Sequence, residues 1–431
     1  MTYAAAVSYL YSLQQHGIKL GLDTMTALVG RLGMPQARYP SFHIAGTNGK
    51  GSTAAMTAAI LQAGGYRVGL YTSPHLVEFR ERIRINGRMV PESDIARLTE
   101  AVKAAAQADL SPTFFEFTTA MALQYFAESK VDAAVLEVGL GGRFDATNVV
   151  SPLACAITTI ALDHQQYLGS TLESVAFEKA GIVKPKVPVI VGHVPGEAGD
   201  TIERVAIERQ APVVRLGRDF HVEGDTPAAF TYRCGGIRYE ELSCPLPGTH
   251  QLDNCACAVA LVTTAGDQRL AVEEPAIRQG LREVQWEGRL EIVASEPLTL
   301  LDGAHNPAAA AALGEYLRRF RRSRPLSRVI LVLAMMRDKD HRGFIEPFQG
   351  LVDEVVLTQA ALKRSATVDE LLPVVRDLWP QVRTHARVSD ALADGKATAR
   401  PQDVVCVTGS LMLVGEVKAL LRGCGLSPLR G

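Results

Sequence analysis

The sequence predicts an α/β protein of two successive domains, and three features carry that expectation. Short β-rich runs that are apolar throughout, rather than alternating, recur from residue 41 onward, as strands covered on both faces require. Longer segments with helical spacing lie between them, the pattern of a parallel sheet with crossover helices. Several strand candidates end in Gly-containing turns that open the next helix.

In chain order, the expected strands of the first series are 42–45, 68–71, 133–138, 154–160 and 187–191, with helices including 52–63 and 116–127. Around 213–243 the texture changes to short alternating runs with Gly235-Gly236, which predicts a small antiparallel insertion, and a helix follows at about 250–265. A second series begins near residue 290, with strands at 298–301, 328–333, 354–357 and 404–407 and a helix after each. Between the series, Val284-Gln285-Trp286-Glu287-Gly288-Arg289 is neither Pro- nor Ser-rich, so a short hinge is expected rather than a floppy tether. The expected domains are 1–285 and 286–431.

Composition narrows the function classes. At 431 residues, with 47% apolar and 21% charged residues, the chain has the material for two full cores. A formal net charge of −1 provides no global field for nucleic acid or an anionic membrane, so any anion site must be built locally. No uninterrupted apolar stretch approaches the roughly 18 to 20 residues that span a bilayer. Residues 1–13 lack a basic segment ahead of an apolar run, so no secretory leader is expected there. Seven scattered cysteines lack framework spacing, and Cys255-Ala256-Cys257 has no second Cys/His pair nearby, so these read as packing residues in a reducing cytoplasm.

The strongest local signal is Gly46-Thr47-Asn48-Gly49-Lys50-Gly51-Ser52-Thr53, between a strand and a helix. Glycines let backbone wrap a phosphate chain, amides at a helix start point at it, and Lys50 adds charge. The spacing departs from the usual G-x-x-x-x-G-K-[ST], because Gly51 stands between Lys50 and Ser52. Glu137 ends a strand and is followed by Gly139, Gly141 and Gly142, and a carboxylate beside a phosphate loop suits Mg²⁺. Ser73 in Tyr71-Thr72-Ser73-Pro74-His75 and His164 after Asp163 are further candidate ligands, and Lys179 ends the next helix. Each has a plainer reading: a strand-end cap, a turn, an exposed histidine, a lysine favoured by a helix dipole. In the second series, Asp302 and His305 sit in Leu301-Asp302-Gly303-Ala304-His305-Asn306-Pro307, where Asn306-Pro307 is also ordinary helix initiation. Asn254 lies in the helix opening His250-Gln251-Leu252-Asp253-Asn254, which offers amides suited to an adenine edge.

Taken together, GTNGKGST (46–53), YTSPHL (71–76), EVGLGGRFDATN (137–148), DHQQYLG (163–169), EKAGI (178–182), HQLDN (250–254), LDGAHNP (301–307) and GSL (409–411) resemble the folylpolyglutamate synthase/dihydrofolate synthase family of the Mur ligase superfamily. The pieces occur in family order over nearly the whole chain. The resemblance implies a P-loop ATPase-like domain followed by a smaller C-terminal α/β domain that closes over the nucleotide. It implies an ATP-dependent ligase that adds L-glutamate to a folate, and to dihydropteroate in bifunctional members, through an acyl phosphate. By the same carry-over, Thr47, Asn48, Gly49, Lys50, Gly51 and Ser52 bind ATP phosphates, and Asn254, Arg289 and Asp302 contact ATP. Ser73, Glu137, His164 and a carbamylated Lys179 hold two Mg²⁺ ions, and His305 joins Lys50, Glu137, His164 and Lys179 in catalysis. Thr113, Phe114, Phe115, Glu116, Phe144, Asp145 and Ala146 contact the pterin side of the acceptor. Expected partners are small molecules only, with no nucleic acid and no membrane, and the expected state is a monomer.

Three positions depart from the family pattern. Lys19 stands where many members carry an acid lining the pteroate pocket, Glu287 stands where Pro is usual, and Met412 replaces a common Tyr. Arg143 and Asp145 resemble bifunctional members. The competing readings are a peptidoglycan-type Mur ligase, an acceptor-independent ATPase that drives a partner protein, and a non-catalytic nucleotide binder. The first usually has an additional N-terminal nucleotide-sugar domain, whereas only residues 1–41 precede the first expected strand. The second leaves Asp302-Gly303-Ala304-His305 without a purpose, and the third leaves Lys50, Glu137 and His164 without one.

Overall fold

The computed structural model describes residues 1–17, 19, 21–107, 109–266 and 270–426, so Leu20, which lies within the Lys19 segment, falls outside the described residues. The chain forms two compact units. One comprises Met1–Ser73, Phe79–Pro245 and Gln251–Gln285, and the other comprises Pro74–Glu78, Leu246–His250 and Trp286–Gly431. The short stretches 74–78 and 246–250 thus belong with the C-terminal portion, although the sequence reading assigned them to the N-terminal domain. Leu76 shows why: it packs among Leu301, Val407 and Val414 of the second unit's core.

In the first unit, strands β1 (Ser41–Ala45), β2 (Val68–Tyr71), β3 (Ile83–Ile85), β4 (Arg88–Met89), β5 (Ala133–Glu137), β6 (Ala154–Thr159), β7 (Val189–His193) and β8 (Val213–Arg215) form one sheet in the order β4-β3-β2-β5-β1-β6-β7-β8. Six of these are parallel, while β3 runs antiparallel to β2 and β4 antiparallel to β3. All residues of β1, β2 and β5 are buried, including the polar Ser41, His43 and Glu137, as strands covered on both faces require. The expected insertion is smaller than its sequence texture suggested. Val213–Arg215 extends the main sheet beside β7, and only β9 (Phe220–Thr226), β10 (Ala229–Cys234) and β11 (Ile237–Leu242) make a separate antiparallel sheet. The helix His250–Gly266 follows, with Cys255 and Cys257 buried on it.

The second unit holds β12 (Glu291–Ser295), β13 (Leu298–Leu301), β14 (Val329–Leu333), β15 (Glu354–Leu357), β16 (Val382–Thr384) and β17 (Val404–Thr408), ordered β12-β13-β17-β14-β15-β16. The four expected strands are the interior ones. The two edge strands, β12 and β16, are only partly buried, and β16 is three residues with a single apolar one, so neither shows the long covered apolar run of the interior strands. Among the described residues, no helix is long and apolar enough to cross a membrane.

Candidate active site

Four adjacent parallel strands, in the order β2-β5-β1-β6, deliver the first unit's candidate residues from their carboxyl ends, where open α/β sheets bind ligands. The phosphate loop follows β1, Ser73 follows β2, Glu137 ends β5, and Asp163-His164 follow β6.

The loop is fastened mainly to the end of β6. Thr47 N–H donates to Thr159 O at 2.8 Å, and Asn48 N–H donates to Thr159 Oγ1 at 2.9 Å. The Thr158 hydroxyl donates to Asn48 O at 2.6 Å, and the Thr47 hydroxyl exchanges hydrogen bonds with the Ala161 backbone, both at 3.0 Å. Two glycines are indispensable. At Gly46 (φ +150°) a Cβ would lie 2.0 Å from Thr158 Oγ1, and at Gly49 (φ +85°) it would lie 2.3 Å from Asn254 Oδ1. Gly49 caps the helix Lys50–Ala63, whose first-turn amides have no intrahelical acceptors. Lys50 Nζ folds back onto Gly46 O (2.9 Å) and Thr47 O (3.1 Å), which keeps its charge at the loop mouth. Asn254 is buried against the loop and donates to Gln251 Oε1 at 2.8 Å.

Glu137 Oε2 accepts from Ser73 N–H at 2.9 Å, bringing together two of the residues expected to hold metal. Lys179, in the last turn of the helix Leu172–Ala180, is 4% exposed. Burial, reinforced by Lys50, pushes its amine down to about 7 against the opposing pull of Asp163 and Asp145. The plainer pairing of Lys179 with Glu178 is not made: the Glu178 carboxylate binds Arg143 at 2.6 Å. His164 has φ +50°, and its N–H donates to Asp163 Oδ1 at 2.8 Å, so a left-handed turn presents the imidazole. Among the described residues no group of three or more His, Cys, Asp and Glu side chains is gathered as a metal cluster. The donor set here is of a different kind: Ser73, Glu137, His164 and an amine held partly neutral, which can become a carbamate. That set fits a hard divalent cation.

The acceptor-side residues divide into two groups. Thr113 and Glu116 form a reciprocal capping box on the helix Phe114–Glu128, Glu116 N–H donating at 3.2 Å and Thr113 N–H at 2.7 Å. Their side chains therefore have a structural task that the sequence reading did not anticipate. Phe115 packs on Gly139, where a Cβ would lie 2.5 Å from its ring, and Phe114 lies edge-on to Phe79. The Arg143 guanidinium sits 4.1 Å from the centre of the Phe144 ring. Asp145 accepts from Leu140 N–H (2.8 Å), Thr147 N–H (3.0 Å) and the Thr147 hydroxyl (2.5 Å), while its burial raises its pKa. Since the Thr147 hydroxyl donates to Asp145, it must accept from His43 Nε2 at 2.7 Å, which assigns that tautomer. Ala146 is buried beside them. Lys19 Nζ donates to Ser111 O at 2.8 Å, two residues before Thr113.

Arg82 was not singled out from the sequence. It is 3% exposed, lies 5.2 Å from the Phe114 ring centre and feels the charge of Glu137. Thr158, Thr159 and Gln251 were missed too, since a threonine at a strand end carries no motif signal.

In the second unit, both Asp302 oxygens accept backbone N–H groups, from Leu290 and Ala304, each at 2.9 Å. Arg289 Nη1 donates to Gly288 O at 3.0 Å, and a Cβ on Gly303 would come within 2.7 Å of that nitrogen. His305 Nδ1 lies 2.8 Å from Gly303 O, and Asn306 caps the helix Pro307–Ser323 through Ala309 N–H.

Comparison with known proteins accords with this geometry. Residues 44–262 match the Mur ligase middle domain, and residues 288–411 match the Mur ligase glutamate ligase domain. The chain is 34% identical over 437 residues to the Bacillus subtilis dihydrofolate synthase/folylpolyglutamate synthase, covering 97% of this chain and 99% of the relative. It is 36% identical over 436 residues to a probable bifunctional folylpolyglutamate synthase/dihydropteroate synthase of Haloferax volcanii, covering 97% of this chain but only 50% of that longer relative. Among solved structures, Escherichia coli FolC in complex with DHPP and ADP superposes with a TM-score of 0.90 at 36% identity, covering 98% of each chain. A bifunctional folylpolyglutamate synthase/dihydrofolate synthase with Mn, AMPPNP and L-glutamate bound gives 0.88 at 35% identity, again covering 98% of each. The chain belongs to the folylpolyglutamate synthase/dihydrofolate synthase family of Mur ligases.

Proposed function

We propose that this protein uses ATP to join L-glutamate to a reduced folate and to 7,8-dihydropteroate, acting in the cytoplasm as a monomer. The observation that carries the reading is the convergence of Lys50, the Ser73–Glu137 pair and a buried, partly neutral Lys179 at the carboxyl edge of one parallel sheet. Relatives that match this chain over almost their full length are named as folate ligases, and neither a peptidoglycan ligase nor a partner-driven ATPase is favoured.

The chemistry follows from the acceptor. A carboxylate is a poor electrophile, so one of its oxygens first takes the γ-phosphoryl group of ATP, with ADP leaving. The glutamate amine then attacks the acyl carbon and loses a proton, and phosphate departs from the tetrahedral intermediate. Lys50 places a positive charge against the transferring phosphoryl group, and the amides at the start of the helix Lys50–Ala63 hold it in line. Ser73, Glu137, His164 and carbamylated Lys179 are the residues to hold two Mg²⁺ ions, which supply further neutralisation of phosphate charge when bound. The carbamate forms when neutral Lys179 adds CO₂ and releases one proton. Thr47, Asn48, Gly49, Gly51, Ser52 and Asn254 serve ATP, as do Arg289, Asp302 and His305 of the second unit. On the acceptor side, Phe114, Phe115, Phe144, Asp145 and Ala146 shape the pterin contacts, and Thr113 with Glu116 sets the helix that bears the two phenylalanines. Lys19, which stands where many members carry an acid, is anchored on Ser111 O beside this group.

The deciding experiment measures phosphate release from ATP with dihydropteroate and tetrahydrofolate offered separately, each with and without glutamate. Release should require glutamate together with either acceptor. Turnover indifferent to both acceptors would overturn the ligase reading, and response to tetrahydrofolate alone would remove the dihydropteroate activity.

A further inference from the structure

The segment joining the two sequence series is a strained turn held at many points within the second unit. Gly288 has φ +69° and Leu290 φ +49°, a conformation that a branched side chain rarely adopts. Leu290 N–H is held by Asp302 Oδ2, Gly288 N–H by Glu291 Oε2 at 2.7 Å, and Gly288 O accepts from Gly303 N–H at 2.9 Å. Arg289 stands in the middle of this turn.

An ion network closes around the same turn. Lys418, on the helix Leu411–Arg422, has a side chain only 5% exposed and binds both Glu291 and Glu287, the latter at 3.3 Å. One turn further along that helix, Arg422 binds Glu287 Oε1 at 2.5 Å. Two cations thus meet two carboxylates, and the buried Lys418 ammonium has its counter-charges. Glu287, directly before Gly288, ties the turn to the helix by charge.

We propose that Glu287 and Glu291, clamped by Lys418 and Arg422, are positioning residues that hold the strained turn and thereby aim Arg289 at the nucleotide. This rests on the nucleotide role given to Arg289 above. A network serving stability alone would change the melting temperature without changing nucleotide affinity in proportion to the loss of Arg289.

The test measures ADP affinity by calorimetry, and KM for ATP and kcat, on the full chain carrying Lys418→Met, Glu287→Gln, Arg289→Ala or Lys418→Met with Arg289→Ala. Lys418→Met should weaken ADP binding and raise KM for ATP by about tenfold, with kcat within about twofold, as a misaimed binding group does. Glu287→Gln, at a more exposed site, should show a smaller change of the same kind and stands in if Lys418→Met fails to fold. Lys418→Arg should restore binding, and Lys418→Met should add little in the Arg289→Ala background. Unchanged ADP affinity in Lys418→Met and Glu287→Gln beside a weakened Arg289→Ala would overturn the inference alone, as would full additivity in the double variant. An Arg289→Ala enzyme that binds ADP normally would remove the nucleotide reading of Arg289 and the inference with it.

Discussion

The turn at 46–53 and the turn at 301–307 both lead a parallel strand into a helix, yet they dispose of their polar groups differently. The first places a glycine at the helix cap and leaves the first-turn amides without a capping side chain. Its fastenings run outward to Thr158, Thr159 and Ala161 and use its own Thr47 and Asn48 N–H groups, so the loop keeps its shape by bonds to a remote strand end. The second satisfies itself. Asp302 takes two backbone N–H groups, Asn306 caps Ala309, and Pro307 has no N–H to satisfy. The difference teaches that a strand-to-helix turn can be fixed by a remote strand end, with its helix start left uncapped, or by its own side chains. Substitutions in the first turn should therefore act on turnover, and those in the second on the geometry and stability of its own unit.

The largest effect expected from this contrast is at Lys50. Lys50→Ala should raise the barrier by about 2.7 to 4 kcal/mol, since one charge at the transferring phosphoryl group is hard to replace. Steady-state phosphate release with saturating glutamate and acceptor measures it, and activity within about twofold of the parent enzyme would make the loop a mere turn.

Lys179 comes next, because its amine feels Lys50 and its carbamate would serve the same region. Lys179→Ala should lower activity by about 10- to 100-fold, the range found for groups that tune a metal site, with partial recovery on adding a short-chain carboxylic acid. With the amine held at about 7, the neutral form that reacts with CO₂ increases as pH rises through that value. In ¹³C-bicarbonate, a carbamate resonance should therefore grow between about pH 6 and about pH 8 and be missing from Lys179→Ala. A parent enzyme without that resonance, together with near-normal activity of the variant, would leave Lys179 as an ordinary buried amine.

The smallest effect on the barrier, and a clear one on stability, is expected at Asp302. Asp302→Ala strips the acceptors from Leu290 N–H and Ala304 N–H, at about 1 to 3 kcal/mol for each buried donor left unpaired. Urea unfolding should show the loss. Equal stability would mean that the Leu290 and Ala304 N–H groups find other acceptors and that the second turn does not depend on this carboxylate.

Much of this architecture was legible from the chain alone because each piece is local. Apolar runs such as Val329–Leu333 of β14 need two covered faces, and glycines at 46 and 49 mark positive φ wherever the rest of the chain lies. The order of eight short motifs was enough to name the family and its chemistry. Where local signal was weak, the reading fell short. β12 and β16 are half-exposed edge strands, Val213–Arg215 continues the large sheet although it adjoins the insertion, and the capping box of Thr113 with Glu116 went unanticipated.

What the sequence by itself determined is the set of strand-end turns and the residue types they offer, because backbone conformation and apolar periodicity are properties of neighbouring residues. Tertiary structure alone decided which of those groups remain available for chemistry. Thr158 and Asn254 wall the phosphate loop from more than a hundred residues away along the chain, as the separations of 110 (Thr158 to Asn48) and 201 (Asn254 to Thr53) show. Lys179 is an ordinary lysine in sequence, and its amine falls to about 7 only because folding removes it from water and sets Lys50 near it. Desolvation and the field of remote charges depend on distances that a linear chain does not contain, so ionisation and hydrogen-bond satisfaction are settled when the parts pack.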